Sequence, residues 1–518
     1  LTPSRSETVS EHAADPRDDA GRNGDANQAI HRPDSNQAVH EAESDRAVPG
    51  ADSDRSTPEA GGARFTRRQL LSTAGTAGAV GLAGCVGRQY RSPPDCSAVA
   101  SAADNADGYV PLPADDDVSM FRRGLRRYGY YPEETVPSSV TVDWSFPINR
   151  IGHTAAKSTP RPTPDGETVL IAGDDGRIHA VRPTGEHRWE RETGAGRSLG
   201  FHGTPAIADG TAYIGGYDGE LYAVDIDSGS TIWHTRMREF GDAIAIGSSP
   251  AYVDGSLYLL TEHKNPASGA LWEVDAATGN PTWSDDRIWG MPHPSPAIDC
   301  EAGRLVTGSN DGVMYCWEFP SLEFAWSFQA GGEGGPDGES MAGGRFNLGA
   351  QIKGTIPTYD GAAFVGSWDG RFYRLDLADG SEEWSFDTGD VVMSNPAIDP
   401  DRGVVYVGSD SHYVYALEAA TGDELWSTDV DGHVIGSITA TAETILVGSY
   451  DTHLYALDRE TGNRRWRVEN RGHVTSGAIP RDGRIYYAER GVFSNYYDDD
   501  EETVLEKPGR AYCLVPDE

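Results

Sequence analysis

The chain has 518 residues, with 81 acidic against 43 basic side chains and a formal charge of -38. A single-signed field of this size repels phosphate backbones, and no arginine stripe with interleaved aromatics offsets it, so no nucleic-acid partner is expected. Length alone leaves room for several domains, and internal repetition has to be tested before the chain is divided.

Residues 1–63 contain almost no large apolar side chains and are rich in Asp, Ser, Ala, Gly and Arg. Such a stretch cannot bury enough surface to offset ordering entropy, so a disordered acidic leader is expected. The first methionine is Met120, so a start at a non-standard codon or downstream of Leu1 is expected. Residues 64–85 hold Thr66-Arg67-Arg68-Gln69-Leu70-Leu71, a Gly/Ala-rich apolar run, and Leu82-Ala83-Gly84-Cys85. This arrangement resembles a twin-arginine export signal that ends in a lipobox. The apolar run is short of the ~20 residues a spanning helix needs. A lipid on Cys85 is therefore the expected link to the outer face of the cell membrane. Residues 86–118, rich in Pro, Asp and Ala, read as a flexible tether.

From residue 119 to 518 one pattern recurs. Its template is Ala223-Val224-Asp225-Ile226-Asp227-Ser228-Gly229-Ser230-Thr231-Ile232-Trp233. Asp precedes Trp by eight at Asp275/Trp283, Asp376/Trp384 and Asp458/Trp466, with Glu418 before Trp426. Gly stands four before Trp in these repeats and at Gly185/Trp189, whereas the repeat ending at Trp326 lacks the glycine. An Asp that accepts backbone hydrogen bonds, followed by a residue able to turn left-handed, marks a hairpin. A second hairpin signal lies upstream, in Gly216-Tyr217-Asp218-Gly219, Ser309-Asn310-Asp311-Gly312 and Ser367-Trp368-Asp369-Gly370. Two hairpin signals per repeat give four antiparallel strands, which is a propeller blade. The structural tryptophans Trp144, Trp189, Trp233, Trp283, Trp326, Trp384, Trp426 and Trp466 count eight blades. Strands are expected near 475–480, 484–489 and 510–515, and no tryptophan follows them. Val142-Asp143-Trp144-Ser145-Phe146 should therefore supply the outer strand of the last blade, closing the ring and removing its free edges. The fold class is all-β, an eight-bladed β-propeller.

The repeat resembles the tryptophan-docking repeat of the pyrroloquinoline-quinone-like β-propeller family, which holds quinoprotein dehydrogenases and BamB-like lipoproteins. The stretch Met120-Phe121-Arg122-Arg123, with Tyr130, Tyr131, Pro132 and Trp144, is similar to the opening of its archaeal members. Only four basic residues are lysine, Lys157, Lys264, Lys353 and Lys507. An acidic, lysine-poor surface resembles that of salt-loving archaea. The resemblance implies an exported lipoprotein acting as a binding or scaffold protein. It offers two alternatives, a module binding a small anion and a dehydrogenase with a divergent quinone site. Quinone-binding members hold pyrroloquinoline quinone against two adjacent cysteines. No two cysteines here are adjacent, so no cofactor, metal or catalytic residue is carried over.

Cys300 and Cys316 fall at the ends of the first and third strands of one blade. Two strand spacings put them roughly 10 Å apart, too far for a bridge, and both are expected as free thiols. Aligning repeats on Thr159-Pro160, Thr204-Pro205, Ser249-Pro250 and Ser295-Pro296 brings Lys157, His202, His293 and Lys353 into one register, two residues earlier, with His433 and His473 slightly further upstream. These six are the candidate axial ligand-binding residues, expected at the channel mouth as a positive spot for a small anion or a partner's acidic loop, or as mere neutralisers of nearby carboxylates. The glycine-rich insertion from Ala330 to Gln351 is expected on the same face. The run Asp498 to Glu502 reads as a solvated acidic tip. Arg122, Arg123, Arg126 and Arg127 are expected to pair with acidic blade surfaces or to meet lipid headgroups.

Overall fold

The computed structural model describes residues 118–151, 158–241, 243–264, 267–331, 348–494 and 504–517. Leader, signal, Cys85, Lys157, Asp498 to Glu502, most of the tether and most of the glycine-rich insertion lie outside them.

Eight four-stranded antiparallel blades follow one another. Their innermost strands are Arg161–Pro162, Ala206–Ala208, Ala251–Val253, Ala297–Asp299, Thr358–Tyr359, Ala397–Asp399, Thr439–Thr441 and Ile479–Arg481. In each blade the middle strands are buried and the outer strand is partly exposed, as in the second blade, where Thr211–Gly215 is wholly buried and Thr231–Arg236 alternates. The last blade is completed as expected, because Val140–Asn149 pairs antiparallel with Gly509–Pro516, setting Trp144 opposite Cys513 and Phe146 opposite Ala511. An additional hairpin, Val492–Ser494 with Val504–Lys507, rises from this blade and has no counterpart in the sequence reading.

The tryptophans join neighbouring blades. The Trp189 indole donates to the Ile226 carbonyl at 2.9 Å, in the turn of the next blade. Trp144, Trp233, Trp326, Trp384 and Trp426 donate in the same way to Pro183, Ala276, Leu377, Ala419 and Arg459. Trp466 finds its carbonyl on Pro137, just ahead of the strand that completes the eighth blade. The turn glycine is needed twice over. Gly229 has φ +68, and a Cβ there would come within 2.6 Å of the Trp189 ring. Trp283 is the exception: the turn it faces has Leu322 at φ 60 in place of glycine. Among the described residues its indole donates no hydrogen bond, and it packs against the cluster containing Phe319 and Leu322.

A collar of side-chain bonds runs around the axis where the inner strands begin. The Thr159, Thr204, Ser249 and Ser295 amides each donate to the hydroxyl of the next blade, on Thr204, Ser249, Ser295 and Thr355. Asn395 takes the next place, accepting from the Thr355 amide and donating to Ser437. The Gly477 amide returns to Thr159, so the collar spans the point where the chain's two ends meet.

Below the collar the lead-in segment fills the channel and touches every blade. Val118–Ser119 pairs with the second blade, and Ser119 bonds the Pro162 carbonyl of the first. The Tyr252 amide of the third blade contacts Met120 sulfur. Backbone carbonyls of Leu125, Arg126, Tyr128 and Gly129 accept from Ile298, Thr358, Ile398 and Ala440 of the fourth to seventh. The Glu134 carboxylate receives the Asp482 amide of the eighth.

Two of the four lead-in arginines correct the sequence reading. Arg122 and Arg127 are neither on an acidic surface nor at a headgroup, but are 3% and 0% exposed. Arg122 donates to the carbonyls of Arg127, Tyr128, Ile438 and Pro396. Arg127 donates to those of Pro296, Phe121, Ser249 and Pro250. Burial pushes both guanidiniums down to about 9, so they remain cationic at neutral pH. Arg123 and Arg126 do pair with carboxylates, on Glu133 and on Asp299 and Glu301.

The cysteine expectation is half overturned. Cys316 is a buried free thiol, as is Cys513, and burial raises Cys316 to about 12. Cys300 is disulfide-bonded. The strand-spacing argument correctly excluded Cys316 as its partner but not a disulfide at Cys300 itself.

Candidate functional site

The other end of the channel is bounded by two sets of loops. One leads into each innermost strand; the other joins the second and third strands. Backbone bonds stitch them together: Tyr217 to Gly200, Trp368 to Gln351, Asp410 to Val391, Tyr450 to His433 and Arg490 to His473, all between 2.9 and 3.0 Å. Bonds from Val434 to Ser409 and Val474 to Ser449 link each lead-in loop to the preceding blade. The register residues thus meet the second position of the upstream hairpin, where Tyr217, Trp368, Asp410, Tyr450 and Arg490 stand.

Five of the six candidate residues are described. His202 is buried, its ring 4.1 Å from that of Tyr217. His293 Nδ1 lies 3.5 Å from Glu262 Oε1, itself 3.5 Å from the Tyr217 hydroxyl. The Lys353 ammonium sits 4.1 Å from the centroid of the Trp368 ring, a cation–π contact. His433 and His473 flank Tyr450, the first edge-on at 6.0 Å and the second stacked at 4.3 Å and 10°. Arg490 donates to the Tyr450 hydroxyl at 2.6 Å and covers its ring at 5.5 Å.

Hydrogen bonding fixes the state of the two histidines around Tyr450. His433 Nδ1 faces the Asp410 carbonyl at 2.9 Å, and His473 Nδ1 faces the Tyr450 carbonyl at 2.5 Å. A carbonyl only accepts, so Nδ1 carries the proton in both rings and Nε2 presents a lone pair when the ring is neutral. Both are neutral at pH 7: burial lowers His433, and burial followed by the Arg490 charge pushes His473 down to about 4. These two rings therefore add acceptors to the mouth at neutral pH and not the cationic character expected of them. Among the described residues there, Lys353 and Arg490 supply positive charge. Asp410 is 7% exposed and pushed up to about 8 by burial and then by Asp390, and its Oδ1 finds no hydrogen-bond partner among the described residues.

The second hairpin position was quoted in the sequence only as a turn. Its signal was variation: Tyr, Asn and Trp occupy it in Gly216–Gly219, Ser309–Gly312 and Ser367–Gly370, while the flanking turn residues repeat. The donor set does not fit the quinone seat that the repeat family's dehydrogenases imply. Free Cys316 and Cys513 are buried within strands, and Cys300 lies in a turn at the filled end. Among the described residues no group of three His, Cys, Asp or Glu could hold a metal ion.

Comparison with known proteins bears on the repeat. The family model for outer membrane protein assembly factor BamB matches residues 174–302 and 369–495. The BamB of Alkalilimnicola ehrlichii is 26% identical over 167 residues, which is 30% of this chain and only 40% of that protein. Among solved structures, the quinohemoprotein alcohol dehydrogenase of Comamonas testosteroni superposes with a TM-score of 0.63 at 15% identity, covering 81% of this chain and 84% of that one. The BamB of Moraxella catarrhalis superposes with a TM-score of 0.51 at 16% identity, covering 73% of this chain and 100% of that one. At such identities the superpositions speak for the fold alone. Taken with the docked tryptophans and the closed ring, they show that the folded part of this chain is an eight-bladed β-propeller, two stretches of which, residues 174–302 and 369–495, are similar to the BamB repeat.

Proposed function

We propose that the protein is an exported propeller, tethered by a lipid on Cys85 at the outer face of the membrane, that binds a partner through its channel mouth and catalyses nothing. The observation that carries this reading is the asymmetry of the channel. Residues 118–134 occupy one end and bond to all eight blades, so a ligand or partner loop reaches the axis from the mouth alone. The mouth residues there suit recognition: a cation–π pair, two imidazoles whose Nε2 atoms accept no hydrogen bond among the described residues, and an arginine held in place by Tyr450.

Export is supported by the disulfide at Cys300, because such bonds persist in oxidising compartments. The relatives named for outer-membrane protein assembly favour a protein as the bound partner, whereas Lys353 and Arg490 would also suit a small anion. Fractionation tests the tether. Cys85→Ser should move the protein from the membrane pellet to the medium, and full retention in the pellet would refute the lipid anchor. Cross-linking on intact cells with mass spectrometry then identifies what the mouth holds.

A further inference from the structure

The sixth blade departs from the repeat at the mouth. In the second, fourth and fifth blades the carboxylate of the upstream hairpin stands third, as Asp218, Asp311 and Asp369. It accepts the hydroxyl of the tyrosine four residues on, Tyr222, Tyr315 and Tyr373. In the sixth blade the hairpin reads Ser409-Asp410-Ser411-His412. Ser411 takes over the tyrosine, meeting the Tyr415 hydroxyl at 3.2 Å, and the turn closes on His412 at φ 72, where the other three have glycine. The carboxylate has moved to the second position, where the Asp410 main chain bonds to the lead-in loops through Val391 and His433.

The move has cost the carboxylate its donors. Buried acids elsewhere are met: Glu489 by the Tyr512 hydroxyl and the Arg471 and Gly472 amides, Asp174 by the Arg150 and Ile151 amides. Asp410 is 7% exposed, and among the described residues its Oδ1 has no hydrogen-bond partner. His433 directs its Nδ1 proton at the Asp410 main-chain carbonyl and stands 3.8 Å from Asp410 Oδ2. Among the described residues no lysine or arginine lies within ion-pair distance of this carboxylate. Asp390, on the lead-in loop of the same blade, adds negative charge to it. His433 Nε2 adds a lone pair that accepts no hydrogen bond among the described residues. A buried acid beside a second acid and an acceptor nitrogen calls for a cation that brings N–H donors.

We propose that Asp410 and His433 seat a primary ammonium group, borne by a small amine or by a lysine of the partner, that enters from the mouth. The proposal rests on the mouth being the binding face and names the chemistry that its sixth-blade wall takes. An ammonium carries three donors on a compact head, so it can serve the carboxylate and the imidazole lone pair at once. A quaternary ammonium brings the same charge without a donor. Burial and Asp390 push the Asp410 carboxyl up to about 8, so at pH 7 it is mostly protonated, and a bound ammonium drives that proton into solvent. The other titratable groups around it are His433, held below its ordinary value by burial, and His412, whose ring lies 4.9 Å from that of His433.

Isothermal titration of the full-length protein with butylammonium chloride tests the seat. Saturable binding is expected, with about one proton released per ligand at pH 7, read from two buffers of different ionisation enthalpy. Affinity should fall about tenfold from pH 7 to pH 6, because the carboxyl holds its proton more often while the amine stays charged. Asp410→Asn keeps the shape of the side chain and should weaken binding at least about tenfold, with no proton released. Butyltrimethylammonium should bind wild type about tenfold more weakly than butylammonium. Equal binding of the two cations, or binding unchanged in Asp410→Asn, would overturn the seat. Displacement of butylammonium by calcium chloride in wild type alone would make Asp410 a metal ligand and refute it as well. Failure of wild type to bind butylammonium sinks the seat but not the mouth as a binding face, which the cross-linking decides; cross-links confined to other faces sink the mouth reading and leave the titration to decide the seat. Carbodiimide coupling on intact cells, which joins a carboxylate to an amine in contact with it, separates the two sources: Asp410 is recovered on a partner's lysine peptide or on a small amine.

Discussion

The two ends of the channel use the same kinds of residue to opposite effect. At the filled end, Arg122 and Arg127 direct their N–H groups at backbone carbonyls drawn from the lead-in and from the third, fourth, sixth and seventh blades. Their hydrogen-bonding capacity is largely used within the fold. At the mouth, among the described residues, His433 and His473 use one nitrogen on a carbonyl and keep the other, and Asp410 holds an oxygen without a partner. A polar group whose capacity is consumed by the main chain builds structure; one left with spare capacity is available to a ligand.

The largest expected effect lies at the filled end. Arg127→Met keeps the volume of the side chain but removes donors to the Phe121, Pro296, Ser249 and Pro250 carbonyls. Leaving buried carbonyls unmet costs ~1–3 kcal/mol for each group that water cannot reach, so a loss of about 3–5 kcal/mol is expected. Urea unfolding read by tryptophan fluorescence measures it. A midpoint within error of wild type would mean that the lead-in merely fills the channel and does not bind the blades together.

How much of this was legible follows from what each group bonds to. The blades could be read because a hairpin turn and the tryptophan that docks on it lie within a few residues of sequence, as Asp225, Gly229 and Trp233 do. Trp144 could be assigned to the last blade because the chain after Trp466 offers three strands and no tryptophan. The plug could not be read, since Arg122 and Arg127 bond to carbonyls, which every residue possesses, at positions up to Ile438. The collar was half legible: the Thr-Pro and Ser-Pro steps were aligned, but their hydroxyls meet only once the ring is closed. Cys300 was misjudged because strand spacing compares positions inside one blade. At the mouth, the register found His433 and His473 but assigned them charge, which burial and Arg490 remove.

A smaller effect is expected at Asp410. Its folded-state pKa is pushed up to about 8 by burial and Asp390, against about 3.9 in an unfolded chain. The folded state therefore keeps a proton that the unfolded state releases. Its stability contribution is fully present below about pH 4 and is lost as pH rises toward 8. Asp410→Asn cannot ionise, so the variant should gain on wild type by about 2–3 kcal/mol between pH 5 and pH 9, after discounting for relaxation around the charge. Urea midpoints at the two pH values measure the gain. Parallel curves for the two proteins would show the carboxyl to be solvated, and the mouth to be less enclosed than described.

The smallest effect, and the one that separates the two ends most sharply, belongs to His473. His473→Phe keeps a ring against Tyr450 and removes the bond from Nδ1 to the Tyr450 carbonyl, a loss of ~1 kcal/mol at pH 7. The pH dependence runs opposite to that of Asp410. Burial pushes the folded imidazole down to about 4, against about 6.5 unfolded, so the unfolded chain takes up the proton first on acidification. Wild-type stability from this group is full above about pH 6.5 and is lost as pH falls toward 4. Phenylalanine has no such loss, so the deficit of the variant should shrink between pH 7 and pH 5 and vanish near pH 5. An arginine at the filled end shows no slope in this range, because Arg122 and Arg127 stay protonated throughout. A deficit that stays constant from pH 7 to pH 5 would mean that His473 is already solvated and charged in the folded protein, and the contrast between a satisfied end and an available end would lose its acceptor.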